Sequence, residues 1–385
     1  MRCTKAIIYS ENLGNNVREI KKNLNERVKL CCAVKANGYG NDALNSARIF
    51  EKLGAEYLAI ATVQEGEELR NAGIKTKFLL LSLSSPSDFE ELVETQITPL
   101  VFDKDYIEEL DEVCSRLGKK DFEVFLAVDT GMGRIGCLSS EAGVIAKYIE
   151  ESKNLKMAGI ITHFAVSDSI SEKNIEYTKK QYEDFCCAIE NVKKEGINPG
   201  IRTACASAAA MAMKDFQLDM VRPGIILYGY YADEVSKEYL KERGISLNLK
   251  PVMQFETEVC AIRRFTPGKT VSYGRTWEAE KETDIAVLPV GYADGLLRRN
   301  SPGLKVTING KAYPVVGRIC MDQCMVDIGL NNPDVKRWDK AVIFGPKPQD
   351  GGDALYDADD LARMTGTISY EVMTSVSYRV KRIIK

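Results

Sequence analysis

Histidine is almost absent: 385 residues contain one, His163. Any mechanism that needs two histidines is excluded. Cys320 and Cys324 have no histidine beside them, so no metal site is expected. No CxxC occurs among the eleven cysteines, two pairs are adjacent (Cys31–Cys32 and Cys186–Cys187), and several sit in apolar runs. The expectation is reduced, buried thiols in a cytoplasmic protein. Cationic excess is absent too. Lys plus Arg number 52 against 55 Asp plus Glu, a net charge of −3, which argues against nucleic-acid binding through bulk charge. No stretch approaches the roughly 18 apolar residues of a membrane span. The first ten residues carry no long apolar run behind their basic residues, so no secretory leader is expected.

What is there is a soluble, folding-competent mix: 45% hydrophobic and 28% charged residues. Up to about residue 230 one theme repeats. A short apolar run is followed by a turn and then by a segment of helical spacing. The runs are Lys29–Val34, Tyr57–Ala61, Phe78–Leu83, Ile97–Phe102, Phe122–Val128, Met157–Thr162, Ile201–Ala206 and Met220–Arg222. They are continuously apolar and often β-branched, as strands buried on both faces should be. Eight strands alternating with helices predict a (β/α)8 TIM-type barrel. An open doubly wound sheet would normally place GxGxxG after its first strand; here that strand runs into Lys35. Beyond about residue 245, short β-type runs dominate, and only Asp357–Met364 looks clearly helical. We expect a barrel over residues 1–240 and a smaller, mostly β domain over residues 241–385.

In such a barrel the chemistry sits where strands end. Strand one ends in Lys35. Strand five is followed by Asp129-Thr130-Gly131-Met132-Gly133-Arg134, strand six ends in Thr162-His163, strand seven at Ser207, and strand eight runs into Arg222-Pro223-Gly224-Ile225. A lysine at the end of an apolar strand is costly as a charge. Taken alone it fits a snorkelling or paired lysine; it also fits an amine kept neutral or bound as an imine. Pyridoxal phosphate uses such a lysine and needs a cradle of backbone N–H groups, hydroxyls and small residues. Ser207 with the alanines after it, and Gly224 with Ile225, meet that need.

Ala33-Val34-Lys35-Ala36-Asn37-Gly38-Tyr39-Gly40 resembles the cofactor-lysine motif of the alanine racemases. In the same order come Asp129–Gly136, Thr162–Ala165, Val221–Ile225, Ser272-Tyr273-Gly274-Arg275-Thr276, Gly291–Gly295, Gly317–Asp322 and Gly366–Glu371. The likeness covers nearly the whole chain. The resemblance implies a homodimer with active sites shared between barrel and β domain of different subunits. It implies a pyridoxal-phosphate-dependent interconversion of L- and D-alanine, supplying D-alanine for peptidoglycan. Two bases are implied, Lys35 on the D-face and the partner's Tyr273 on the L-face. Tyr39, Ser207, Gly224, Ile225 and Tyr370 would cradle the phosphate, and Arg222 would meet the pyridine nitrogen with His163 packed near the ring. Arg134 and the backbone N–H of the partner's Met321 would hold the substrate carboxylate, while Tyr292 and Tyr370 narrow the entrance.

The sequence departs from the family pattern at four places. Ala127 stands where many relatives have a lysine that braces the arginine, Thr203 where a histidine is common, Ala206 where an asparagine is, and Asn41 where a histidine is. A serine or broad-specificity racemase on the same scaffold is the alternative, since apolar walls reject one added hydroxyl weakly. A non-catalytic pyridoxal-phosphate-binding protein should lack the second domain and the opposing tyrosine. A fold-related decarboxylase needs a cysteine-bearing motif from the partner, and Ser272-Tyr273-Gly274 with Met321-Asp322 favours racemisation.

Overall fold

The computed structural model describes residues 3–385. The eight apolar runs form the strands of a parallel barrel: β2 (Lys29–Ala33), β3 (Tyr57–Ile60), β4 (Lys77–Leu80), β5 (Ile97–Thr98) continued by β6 (Leu100–Val101), β7 (Phe122–Ala127), β8 (Leu155–Ile161), β9 (Ile201–Thr203) and β10 (Met220–Val221). The ladder runs β10-β2-β3-β4-β5 and β6-β7-β8-β9. Pro99 separates β5 from β6, because proline has no N–H for the ladder, yet its carbonyl accepts from Phe125. A parallel bridge between Ala206 and Arg222 closes β9 onto β10.

Helices follow the strands, started by side chains that accept orphan N–H groups. Asp42 caps Ala43–Lys52, Thr62 caps Val63–Asn71, and Asp103 caps Lys104–Arg116. The long helix Glu172–Lys194 buries Thr178, Gln181, Phe185, Ala188, Ile189 and Val192, the stripe expected of a helix lying on a barrel.

The second body is a nine-stranded sheet. Its strands are β11 (Met253–Glu258), β12 (Ala261–Phe265), β15 (Thr283–Leu288), β16 (Lys305–Ile308), β17 (Lys311–Val316), β18 (Cys324–Asp327), β19 (Lys340–Phe344) and β20 (Lys381–Ile384), together with β1 (Lys5–Ile8); the pair β13 (Thr270–Val271) and β14 (Trp277–Glu278) stands apart. The strand β1 lies between β11 and β20, antiparallel to the first and parallel to the second. Residues 5–8 of the N-terminus are thus built into the C-terminal body. The run Gln254–Arg263 reads as one strand in the sequence but divides at Val259-Cys260. Its first half pairs with β1 and β19 and its second with β15.

The two bodies meet over the turn that follows β2. A Cβ on Gly40 would lie 2.3 Å from the Met373 carbonyl oxygen, so only glycine allows the helix Ser369–Thr374 to approach this closely. The Arg382 Nε–H donates to the Gly40 carbonyl at 3.1 Å.

Candidate active site

The residues after β2 do not form an ordinary loop. Ala36, Asn37, Gly38, Tyr39 and Gly40 all have positive φ, between 53° and 81°. A left-handed stretch costs an L-residue roughly 1–2 kcal/mol each, and such strain persists only where the surroundings enforce it. Asn41 donates its side-chain amide to the Gly38 and Tyr39 carbonyls at 3.1 and 2.9 Å. Tyr39 is stacked on Tyr228, 5.0 Å between ring centroids, and lies 5.7 Å from Tyr370. The Tyr228 hydroxyl donates to the Ala33 carbonyl at 2.7 Å, which locks the end of β2.

This turn opens on a cavity of about 1020 Å³ at the ends of the strands. Lys35, Tyr39, His163 and Ser207 line it, as do Arg222, Gly224, Ile225 and Tyr370. A Cβ on Gly224 would meet the Tyr39 hydroxyl at 2.6 Å, so the tyrosine tip occupies space that glycine leaves free. The Gly224 N–H donates to the Ser207 hydroxyl at 2.9 Å. Burial pushes the Tyr39 hydroxyl up to about 12, so it is a neutral donor at physiological pH.

Arg222 is buried and meets only uncharged acceptors. It donates to the Thr203 hydroxyl and the Thr162 carbonyl, both at 2.7 Å, and to the Ala204 carbonyl at 3.1 Å. Thr203, one of the four departures from the resemblance, in turn donates to the Met220 carbonyl at 2.7 Å and so presents a lone pair to the guanidinium. Burial lowers Arg222 to about 10, which still leaves it charged at neutral pH. Its remaining contact is His163 Nδ1 at 3.2 Å. Arginine has no acceptor, so Nδ1 accepts and the ring proton sits on Nε2. Burial, then the charges of Arg222, Arg134 and Lys35, push His163 down to about 3. Burial also lowers the Lys35 amine, helped by Arg134 and Arg222 and opposed by Glu65.

The histidine gives a stability test. Its pKa is depressed on folding, so the unfolded chain binds the extra proton between about pH 3 and 6.5 and the folded state loses stability as pH falls through that window. From pH 7 to 5 the loss is about 2 kcal/mol. It should show as a falling Tm that His163→Gln, which keeps an acceptor without a titration, largely flattens. An equally steep slope in the variant would mean that His163 is not buried neutral.

Arg134 lies outside the cavity lining, close enough for its charge to act on Lys35 and His163. Its loop is organised by Asp129, whose carboxylate accepts from the N–H groups of Gly131 and Gly133 at 2.8 and 3.1 Å. Tyr273, Tyr292 and Met321 are elsewhere. They are 69%, 41% and 52% exposed on the β body. They form one group there: Tyr292 N–H donates to the Cys320 carbonyl and Ala293 N–H to the Met321 carbonyl, at 3.1 and 3.0 Å. The Ser272 hydroxyl, next to Tyr273, donates to the Arg318 carbonyl at 2.6 Å.

Two side chains that organise the cavity escape the sequence analysis. Gln181, buried on its helix, accepts from Ala165 N–H at 3.0 Å and donates toward Thr130 Oγ1 at 3.4 Å, joining the loops after β7 and β8. Its signal is a polar residue inside an apolar helical stripe. Glu65 accepts from the N–H groups of Ala36 and Ala61 at 2.7 and 2.8 Å. Its spacing from Thr62 resembles a capping box, which hides its reach across to the next loop.

Comparison with known proteins agrees over the full length. The alanine racemase N-terminal domain family matches residues 8–232 and the alanine racemase C-terminal domain family residues 252–384. The alanine racemase of Treponema denticola is 47% identical over 383 residues, spanning 100% of this chain and 98% of the relative. That of Clostridium novyi is 41% identical over 385 residues, spanning 100% and 95%. Among solved structures, the alanine racemase of Clostridium difficile superposes with a TM-score of 0.91 at 35% identity, covering 100% of this chain and 96% of the other. The alanine racemase of Bacillus anthracis with bound L-Ala-P gives 0.90 at 32% identity, covering 100% and 95%.

Proposed function

The chain belongs to the alanine racemase family and interconverts L- and D-alanine; from that premise we propose that pyridoxal phosphate is carried on Lys35 and that a second base, Tyr273, comes from the partner subunit of a homodimer. The observation that carries the proposal is the split of the expected site. Lys35 and its companions surround one cavity, whereas Tyr273, Tyr292 and Met321 share an exposed face of the other body. Exposed aromatic and methionine side chains grouped beside polar ones suit a self-complementary interface.

The residues present fit the cofactor. Arg134 and Arg222 set two cations around the Lys35 amine against the single carboxylate that acts on it, Glu65, so an anionic ligand is favoured. Glycine at 224 leaves the space that the Tyr39 hydroxyl fills, and Ser207 stands beside it. Tyr39, Ser207, Gly224, Ile225 and Tyr370 would hold the phosphate group. When bound, the cofactor supplies an electron sink that acidifies the substrate α-proton.

Every other step falls to the chain. Lys35, with burial and two arginines disfavouring its ammonium form, is suited to bond the cofactor and to exchange a proton on the D-face. The partner subunit's Tyr273 exchanges one on the L-face. Arg222, which is protonated, would meet the ring nitrogen, oppose a proton there and so temper the sink. Neutral His163 would support the ring. Arg134 and the backbone N–H of the partner subunit's Met321 hold the carboxylate, and the partner subunit's Tyr292 narrows the entrance together with Tyr370.

The eleven cysteines are all free thiols, which suits the cytoplasm, and among the described residues no helix is long and apolar enough to cross a membrane. We place the enzyme in D-alanine supply for peptidoglycan. The experiment is a chiral assay of the purified chain with L-alanine, L-serine and L-lysine, with and without added pyridoxal phosphate. Cofactor-dependent racemisation of alanine, exceeding that of serine and lysine, is expected. Turnover of L-alanine by cofactor-stripped protein, or none with the cofactor supplied, would overturn the proposal.

A further inference from the structure

The strained turn after Lys35 is fastened at several points. At its far end the Gly40 carbonyl takes Arg382, and in its middle Asn37 Oδ1 accepts from Ala43 N–H at 2.9 Å. At its near end stands Glu65. One carboxylate oxygen accepts from Ala36, the residue directly after Lys35, and the other from Ala61, the residue directly after β3. A single carboxylate therefore ties the lysine's turn to the end of the neighbouring strand. We propose that Glu65 is a positioning residue for Lys35, holding its positive-φ turn through Ala36 and placing a negative charge beside the next residue in the chain. The charged groups that act on Lys35 are Arg134, Glu65 and Arg222, and His163 beside them is neutral. Removing Glu65 leaves the amine among cations alone.

The inference rests on the reading that Lys35 carries pyridoxal phosphate. Glutamine separates its two parts. It keeps one acceptor oxygen but turns an NH2 toward one of the two backbone N–H groups, and it removes the charge. The test adds pyridoxal phosphate to the cofactor-stripped full-length chain and follows the visible absorption of the attached cofactor across pH. In Glu65→Gln the attachment rate well above the midpoint, where the amine is neutral in both proteins, should fall about tenfold or more. Its pH midpoint should move down by about half a unit or more, since the ammonium form has lost its counter-charge. Glu65→Asp keeps the charge on a shorter stem, so the midpoint should return while the rate stays low. A role in folding alone would not move the midpoint. Uptake at Lys35 in wild type with an unmoved midpoint in Glu65→Gln would overturn the inference alone. No uptake at Lys35 in wild type would remove the underlying reading and the inference with it. If Glu65→Gln fails to fold, Glu65→Asp decides: a wild-type attachment rate there overturns the proposal.

Discussion

Lys35→Ala should abolish alanine racemisation, by at least about 10⁴-fold, while the chain stays folded. On the proposed reading Lys35 is both covalent tether and base, so the reaction and the visible absorption of the bound cofactor should vanish together. The truncation removes a side chain that faces the cavity rather than the core, so folding should survive. In wild type, borohydride reduction should fix the cofactor to the peptide that contains Lys35. The cavity offers a discriminating control, because Lys237 also lines it. A label on Lys237 instead would overturn the assignment. The same variant tests the shared site. Mixed with inactive Tyr273→Phe subunits, Lys35→Ala should regain part of the activity, since one of the two sites in a mixed dimer would have both bases. No recovery despite demonstrated subunit exchange would mean that the two residues do not meet across chains.

The barrel was legible because burial on both faces leaves an unmistakable mark. Each of the eight apolar runs contains or overlaps an observed strand, and Pro99 interrupts one without dislodging it. The β body was less so. The strands β1 and β20 are partners 376 positions apart, Lys5 opposite Lys381, and no local pattern announces such a pairing. The run Gln254–Arg263 hides its break because Val259-Cys260 are as apolar as their neighbours. The helix Ser369–Thr374 is one and a half turns long, too short to show a period.

The strand ends marked in the sequence converge in part: Lys35, His163, Ser207, Arg222, Gly224 and Ile225 line one cavity, and Arg134 stands outside its lining. The conformation of the turn was not legible. Glycine and, more weakly, asparagine signal left-handed backbone, but alanine and tyrosine do not, and Ala36, Asn37 and Tyr39 all adopt it here because the surrounding contacts impose it. Likewise Thr62 and Glu65 carry the letters of a capping box. Thr62 does accept from the Glu65 N–H, at 3.2 Å, but the carboxylate turns away to Ala36 and Ala61. A local motif cannot reveal a partner that only the barrel's curvature brings alongside.

Tyr273→Phe should divide the reaction by face. If Lys35 and Tyr273 are separate bases, removal of the α-proton from L-alanine depends on the tyrosine and removal from D-alanine on the lysine. Phenylalanine keeps the ring and deletes only the hydroxyl. Tyr273 is 69% exposed and lies outside the cavity of the chain, so neither folding nor cofactor attachment should suffer. A positioned base contributes typically about 10²–10⁴-fold, and racemisation should fall by at least that much. Steady-state racemisation uses both bases in either direction and cannot tell them apart. Loss of α-deuterium in single enzyme-bound turnovers can. From the deuterated L-isomer it should collapse in the variant. From the D-isomer it should persist, because Lys35 can still remove the deuteron and return a proton to its own face. An equal loss from both isomers, with the cofactor still attached, would mean one base or a purely structural tyrosine, and the two-base scheme would have to be given up.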